Sequence, residues 1–355
     1  MIVNQWVPSA HYGDAIGDHI RATRDVLRGW GHQSDVFAAE IDDELEDEIR
    51  PWTDRDAGAG DVTLLHFAGA SPMTSAFPRV RGRRVLVYHN ITPARFFADY
   101  EPGLARGCAE GRKELATLSG SVDLAIGDSE FNRRELESVG FRSTAVVPIL
   151  VNTDRLLTAP RLPALESQLQ DGLTNILFVG RIAPNKKIED HIRLAEHYKR
   201  YVDAYYRFIF VGRQDASPRY YTAIRALVAE YRMLPERFLF PGQVSEAELA
   251  AYYRNAHAYV SLSEHEGFCV PLVEAMTMDV PVLAYDAGAV GETMGGAGIT
   301  FSPKDLEQAA EWLGALIYDH PLRESVVAGQ RRRVPAFERT AVEPRLRHML
   351  ETVTQ

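Results

Sequence analysis

The sequence predicts an α/β protein of two doubly wound, parallel-sheet domains, and three observations carry that expectation. The chain has 355 residues, which at about 100 to 200 residues per domain suits two domains. Short, apolar, β-branched runs alternate with longer amphipathic stretches, which is the pattern of βαβ units. That alternation continues to residue 148, lapses over about 156–172, and then begins again.

In the first half the runs lie at 2–7, 34–37, 62–67, 84–89, 123–126 and 144–148. Most are too uniformly apolar for strands with one wet face, so they read as buried parallel strands. Between the first two, Ile16, Ile20, Leu27 and Trp30 recur at helical spacing and Gly31 supplies a stop. Residues 156–172 carry Pro160 and Pro163 among polar neighbours with no strand pattern, and are expected to form a linker. The second half repeats the grammar at 175–179, 207–211, 238–240, 258–262, 281–285 and 298–301. Ser245 with Glu248 three residues on is a capping-box signature ahead of Leu249, Tyr252 and Tyr253. The expected domains are 1–160 and 171–338. No sequence repeat of about 20 to 50 residues is present, so a solenoid is not expected.

Composition narrows the function. Charged residues make up 25% of the chain and hydrophobic ones 46%, which disfavours disorder. The net charge of −10 argues against a nucleic-acid partner, whose phosphates need many cations; an anionic ligand must find a locally basic pocket. Cys108 and Cys269 stand alone, outside any metal-ligating cluster, so neither a disulfide framework nor a zinc site is expected. The first residues show no basic segment followed by an apolar one, and no apolar run approaches the roughly 20 residues that span a bilayer. A cytoplasmic location is expected.

Ligands of open parallel sheets collect at the carboxyl ends of strands, so the loops there are the places to look. After the run 258–262 comes Ser263-Glu264-His265-Glu266-Gly267-Phe268-Cys269-Val270-Pro271, then Glu274. Pro271 suits the first turn of a helix, and a strand, a glycine loop and a helix N-terminus make an anion site. Two carboxylates beside it would accept hydrogen bonds from a polyol; phosphate plus vicinal hydroxyls describes a sugar nucleotide. Equally, Glu274 could only complement the helix dipole while Glu266 is solvated. After the run 175–179, Gly180-Arg181 and Lys186 could reach one diphosphate, or form a solvated basic turn. The first βα turn, Gly13-Asp14-Ala15-Ile16-Gly17, is not GxGxxG, and no Walker A motif occurs, which counts against a dinucleotide enzyme. His89 ends a buried run, where it could bond a substrate hydroxyl or be a satisfied structural residue. Arg79, Arg81, Arg83 and Arg84 most simply form a solvated edge; a polyprenyl-phosphate or peripheral membrane contact is their less common use.

Together these motifs resemble glycosyltransferase family 4, the retaining GT-B enzymes. The resemblance is most specific from Phe240-Pro241-Gly242-Gln243-Val244 through Glu266-Gly267-Phe268 and Glu274-Ala275 to Pro281-Val282, which is similar to the family's E-x7-E segment. Gly13-Asp14-Ala15-Ile16-Gly17, His89-Asn90-Ile91-Thr92-Pro93 and Ser129-Glu130-Phe131-Asn132 resemble a bacterial polysaccharide and lipopolysaccharide branch. The resemblance implies two Rossmann-like domains facing across a cleft, the first on the acceptor side and the second binding a nucleotide sugar. A C-terminal helix at about 340–355 would pack back on the first.

By the same resemblance, Glu274 holds ribose hydroxyls, Glu266 orients the donor sugar, and Arg181 and Lys186 neutralise the diphosphate. Backbone at Phe268, Cys269 and Val270 touches phosphate or sugar, Val244 lies by the base, Gly13 by the phosphates and His89 by the donor sugar. Asp14 falls on the acceptor side. Glu266, Arg181, Lys186 and His89 are the catalytic group, with no metal and no cofactor beyond the nucleotide-diphosphate sugar. GDP-mannose is slightly favoured over a UDP-sugar, and the acceptor is a glycan or a polyprenyl-linked or other lipid-linked acceptor. Three positions depart from the pattern: Cys269 and Asp279 replace frequent glycines, and Gly291 a common proline. The rival readings are an epimerase-type sugar-nucleotide enzyme and a non-catalytic sugar-nucleotide or glycan-binding protein.

Overall fold

The computed structural model describes every residue except Tyr12, Asp14, Asp54 and Ala216. The chain divides into two compact units. The first comprises Met1–Arg95, Gly103–Val151 and Ala336–Gln355, and the second Phe96–Pro102 and Asn152–Pro335.

The first unit holds a seven-stranded sheet in the order β3-β2-β1-β4-β5-β6-β7. Its strands are β1 (Val3–Ala10), β2 (Val36–Ile41), β3 (Arg50–Pro51), β4 (Val62–Phe67), β5 (Arg83–Tyr88), β6 (Leu124–Gly127) and β7 (Thr144–Val146). Every pairing is parallel, as the unbroken apolar runs require: all six residues of β4 are buried. The two-residue β3 gave no sequence signal. The helix Ala15–Gly29 buries Ile20 and Leu27, and Gly31 beyond it takes a φ of 83°, the left-handed turn that glycine reaches without strain.

The last helix, Arg339–Thr354, lies in this unit. It places Val342, Leu346, Met349, Leu350 and Val353 in one core cluster with Val3, Val62 and Val85. A fully buried aliphatic side chain contributes about 1.5–3 kcal/mol, so this face alone accounts for its docking.

The second unit has six parallel strands in the order β10-β9-β8-β11-β12-β13. They are β8 (Thr174–Val179), β9 (Tyr206–Val211), β10 (Phe238–Gly242), β11 (Ala258–Ser261), β12 (Val282–Tyr285) and β13 (Ile299–Phe301). The segment expected as an irregular linker instead forms two helices, Asp154–Thr158 and Pro163–Leu169, with Leu156 and Leu169 buried. Pro163 starts the second of these rather than breaking it. The Arg254 guanidinium donates to the carbonyls of Leu156 (3.1 Å) and Ala159 (2.6 Å), tying the segment to the second unit. No helix among the described residues is long and apolar enough to cross a membrane.

Candidate active site

In the second unit the sequence-predicted residues gather at the carboxyl ends of β8, β9, β10 and β11. β8 runs into Gly180 and β9 into Gly212, and a Cβ on Gly212 would collide with the Gly180 carbonyl oxygen. The backbones can meet there only because a side chain is missing. Past Gly180, Arg181 is exposed. It makes no hydrogen bond or ion pair among the described residues, so its charge is available.

The 3-10 turn Pro184–Lys186 follows. Asn185, buried, donates from Nδ2 to the His265 carbonyl (3.2 Å), while the Glu264 amide donates to the Asn185 carbonyl (2.9 Å). These two bonds join the loop after β8 to the loop after β11. They bring Lys186 Nζ to 2.6 Å and 2.8 Å from the two Glu266 carboxylate oxygens. Only 8% of the Glu266 side chain is exposed, and its carbonyl accepts from the Ala289 amide (3.0 Å). Lys186 therefore neutralises Glu266 as well as facing whatever ligand Glu266 meets.

Cys269 precedes the helix Val270–Thr277 with φ 71° and ψ 67°. Burial first, and then the Glu266 charge, push its thiol well above the ordinary range, so it is a neutral, unreactive group. The Phe268 carbonyl is taken by the Thr293 hydroxyl at 2.6 Å. One helical turn on, Glu274 is held at both oxygens: Oε1 by the Arg155 guanidinium and Oε2 by the Tyr253 hydroxyl at 2.9 Å. Burial and the Glu274 charge push the Tyr253 phenol well up, keeping it a donor. Arg155 also reaches Glu246 at 3.5 Å. Val244 lies half-buried in the loop ahead of the helix Glu246–Arg254, whose Ser245–Glu248 capping box is present as expected.

The structure thus brings Lys186 onto Glu266 and sets Glu274 in its own polar cage. Gly13 and His89 belong to the first unit, and Asp14, expected on the acceptor side, lies outside the described residues. Gly13 has a φ of 73° in the turn before the first helix. The His89 side chain is 1% exposed, with Nδ1 at 2.9 Å from Asp128 Oδ2 and Nε2 at 2.8 Å from His66 Nδ1. Neither ring nitrogen is free for a hydroxyl, because the residue that follows β5 lines up with His66 of β4 on one side and with Asp128, just past β6, on the other. Arg155, Tyr253 and Asn185 were not singled out from the sequence. Arg155 fell in the supposed linker, Tyr253 read as an apolar helix position, and Asn185 carried no signal besides standing next to Lys186. Among the described residues no group of three or more His, Cys, Asp or Glu is placed to hold a metal ion.

Two parallel-sheet α/β units with polar loops at their strand ends define the GT-B architecture. The chain belongs to the group 1 glycosyl transferases, whose family model matches residues 166–333. It is 30% identical over 302 residues to the phosphatidyl-myo-inositol mannosyltransferase of Mycobacterium leprae, covering 83% of this chain and 74% of that protein. It is 36% identical over 118 residues to the GDP-mannose-dependent alpha-mannosyltransferase of Mycolicibacterium smegmatis, covering 33% of this chain and 27% of that one. Anabaena HepE, solved in complex with UDP and glucose, shares the fold with a TM-score of 0.78 at 16% identity, over 99% of this chain and 100% of that one.

Proposed function

We propose that this glycosyltransferase moves a hexose, mannose from GDP-mannose first and a UDP-linked sugar second, to a glycan or lipid-linked acceptor in cell-surface polysaccharide synthesis, with retention and without a metal. The observation that carries this reading is the pairing in the second unit: the Lys186–Glu266 contact and the caged Glu274, next to an unpartnered, exposed Arg181. In this reading Glu274 accepts from the ribose hydroxyls beside its Arg155 and Tyr253 donors. Glu266 accepts from the sugar hydroxyls, and Arg181 and Lys186 meet the diphosphate.

As the anomeric C–O bond breaks, charge collects on the departing phosphate oxygen. A cation placed there lowers the barrier because it binds the transition state more strongly than the donor. The acceptor oxygen attacks the same face of the sugar, and its proton passes to the departing phosphate, so no side-chain nucleophile is required. Sequence likeness to mannosyl-transferring relatives favours GDP over UDP, whereas the UDP complex of HepE supports only the shared fold.

A thermal-shift panel with GDP, UDP, ADP and dTDP tests the donor. A ligand that binds only the folded state raises stability by about 2.7 kcal/mol at a hundred times its Kd. GDP alone should raise Tm; a response to UDP alone transfers the proposal to a UDP-sugar, and no response to any of the four sinks it.

A further inference from the structure

The first sheet carries a row of polar side chains that its neighbouring strands supply one at a time. Gln5 comes from β1, His66 from β4, His89 from the residue after β5, and Asp128 from the residue after β6, in the order in which those strands lie. Three hydrogen bonds link them: Gln5 Oε1 to His66 Nε2 (2.9 Å), His66 Nδ1 to His89 Nε2 (2.8 Å), and His89 Nδ1 to Asp128 Oδ2 (2.9 Å). The two imidazole planes differ by 3° with centroids 5.1 Å apart, so the rings meet edge to edge and the nitrogen–nitrogen bond lies in their common plane.

The direction of each bond is fixed from one end. Gln5 Nε2 donates to the Ile20 carbonyl at 3.1 Å, and a carbonyl can only accept. The amide is thereby oriented, its oxygen faces His66, and His66 Nε2 must carry a proton. Asp128 closes the other end as an acceptor. Three bonds in series need three protons, whereas two neutral imidazoles and a carboxylate supply two. The row therefore retains one more.

We infer that Gln5, His66 and Asp128 are positioning residues that hold His89 doubly protonated, as an imidazolium paired with a carboxylate inside the first unit. Imidazole is a stronger base than carboxylate, so the additional proton belongs on a ring. Of the two rings, His89 is the one in contact with Asp128. His66 is a poorer home, since burial and then the His89 charge drive it well below the ordinary histidine range. The other titratable neighbour, His19 from the helix Ala15–Gly29, has its centroid 5.8 Å from that of His89. Its Nδ1 accepts from the Leu150 amide at 3.0 Å, which leaves it a neutral donor at Nε2. With both ring nitrogens donating inside the row, His89 keeps no lone pair and cannot take a proton from an acceptor hydroxyl in the transfer proposed above.

Histidine side-chain 15N NMR of the full chain at pH 7.5, without ligand, tests this directly. The expected spectrum gives His89 protons on both ring nitrogens and His66 a proton on Nε2 only. Asp128→Asn should remove the second His89 proton, and Gln5→Leu should let His66 change tautomer. Wild-type rings carrying one proton each, a protonated Asp128 beside a neutral His89, or rings unaltered by Asp128→Asn would each overturn the inference. The wild-type spectrum decides the matter alone should a variant not fold. It is independent of activity: the expected spectrum combined with full turnover in His89→Gln would leave the inference standing and remove His89 from the catalytic group that the sequence resemblance implies.

Discussion

The two units are built alike and use their polar residues in opposite ways. In the second, charged groups past the strand ends are partnered with one another, Lys186 with Glu266 between loops and Arg155 with Glu274 between helices, while Arg181 stays exposed. In the first, Gln5, His66, His89 and Asp128 form a row across the sheet, each hydrogen-bonded to the next. An open set of charges suits a ligand that enters and leaves. A closed row suits a fixed part that the ligand does not disturb.

The sharpest way to break this contrast is to remove one half of a pair. Lys186→Ala leaves Glu266 buried without its cation, and breaking a buried pair in this way costs about 3–5 kcal/mol. Urea unfolding should show that loss, and the double variant with Glu266→Ala should recover most of it; no change in the single variant would mean that the pair is solvated. Arg181→Ala should behave in the opposite manner. With no partner to orphan, it should keep the wild-type Tm while turnover falls by about 100- to 1,000-fold, the usual cost of one transition-state charge contact. A drop in Tm with turnover preserved would reverse the assignment.

The first unit responds instead to acid. Burial and then the His89 charge lower His19 to about 3, well under its value in the unfolded chain. Its contribution is therefore complete above the ordinary histidine range and is lost as pH falls from there toward 3. Between pH 7.5 and pH 5 that amounts to about 2 kcal/mol. Denaturant melts at the two pH values should show the loss in wild type and a smaller one in His19→Gln; an equal loss would exclude His19 as its source. The smallest effect is expected at Cys269. Its left-handed backbone costs about 1–2 kcal/mol for a residue with a Cβ, partly offset by burial of the side chain. Cys269→Gly should raise Tm slightly, and a fall would show that packing of the thiol outweighs strain.

Cys269 and Asp279 also show what the sequence could reveal. Both stand where the resembling family has glycine, and both have positive φ, 71° and 57°; the left-handed turn explains the glycine preference without reference to a ligand. Gly291, in place of a common proline, donates its amide to Asp286 at 3.0 Å, a bond that proline could not make. The parallel strands were legible because both faces are buried, making each run apolar throughout, as in β4. Arg181, Lys186, Glu266 and Glu274 were legible because each follows its strand closely in sequence, the first three in short loops and Glu274 in the first turns of the next helix.

Partners joined across distant sequence were not legible. Arg155 and Glu274 are 119 residues apart, and the row in the first sheet takes one residue from, or just past, each of four strands, so no spacing announces it. The helix Pro163–Leu169 was not legible because Pro160, Pro163 and their polar neighbours show no strand pattern, while Pro163 in fact stands at a helix start.

The measurement that bears most directly on the account is calorimetric titration of GDP into wild type and Glu274→Ala, with the Tm of each recorded alongside. Hydrogen bonds to a charged group contribute about 1.5–3 kcal/mol, so the variant should bind GDP roughly 10- to 150-fold more weakly while remaining folded. Unchanged GDP affinity in a folded Glu274→Ala protein would contradict the assignment of the nucleotide to the second unit's open charges.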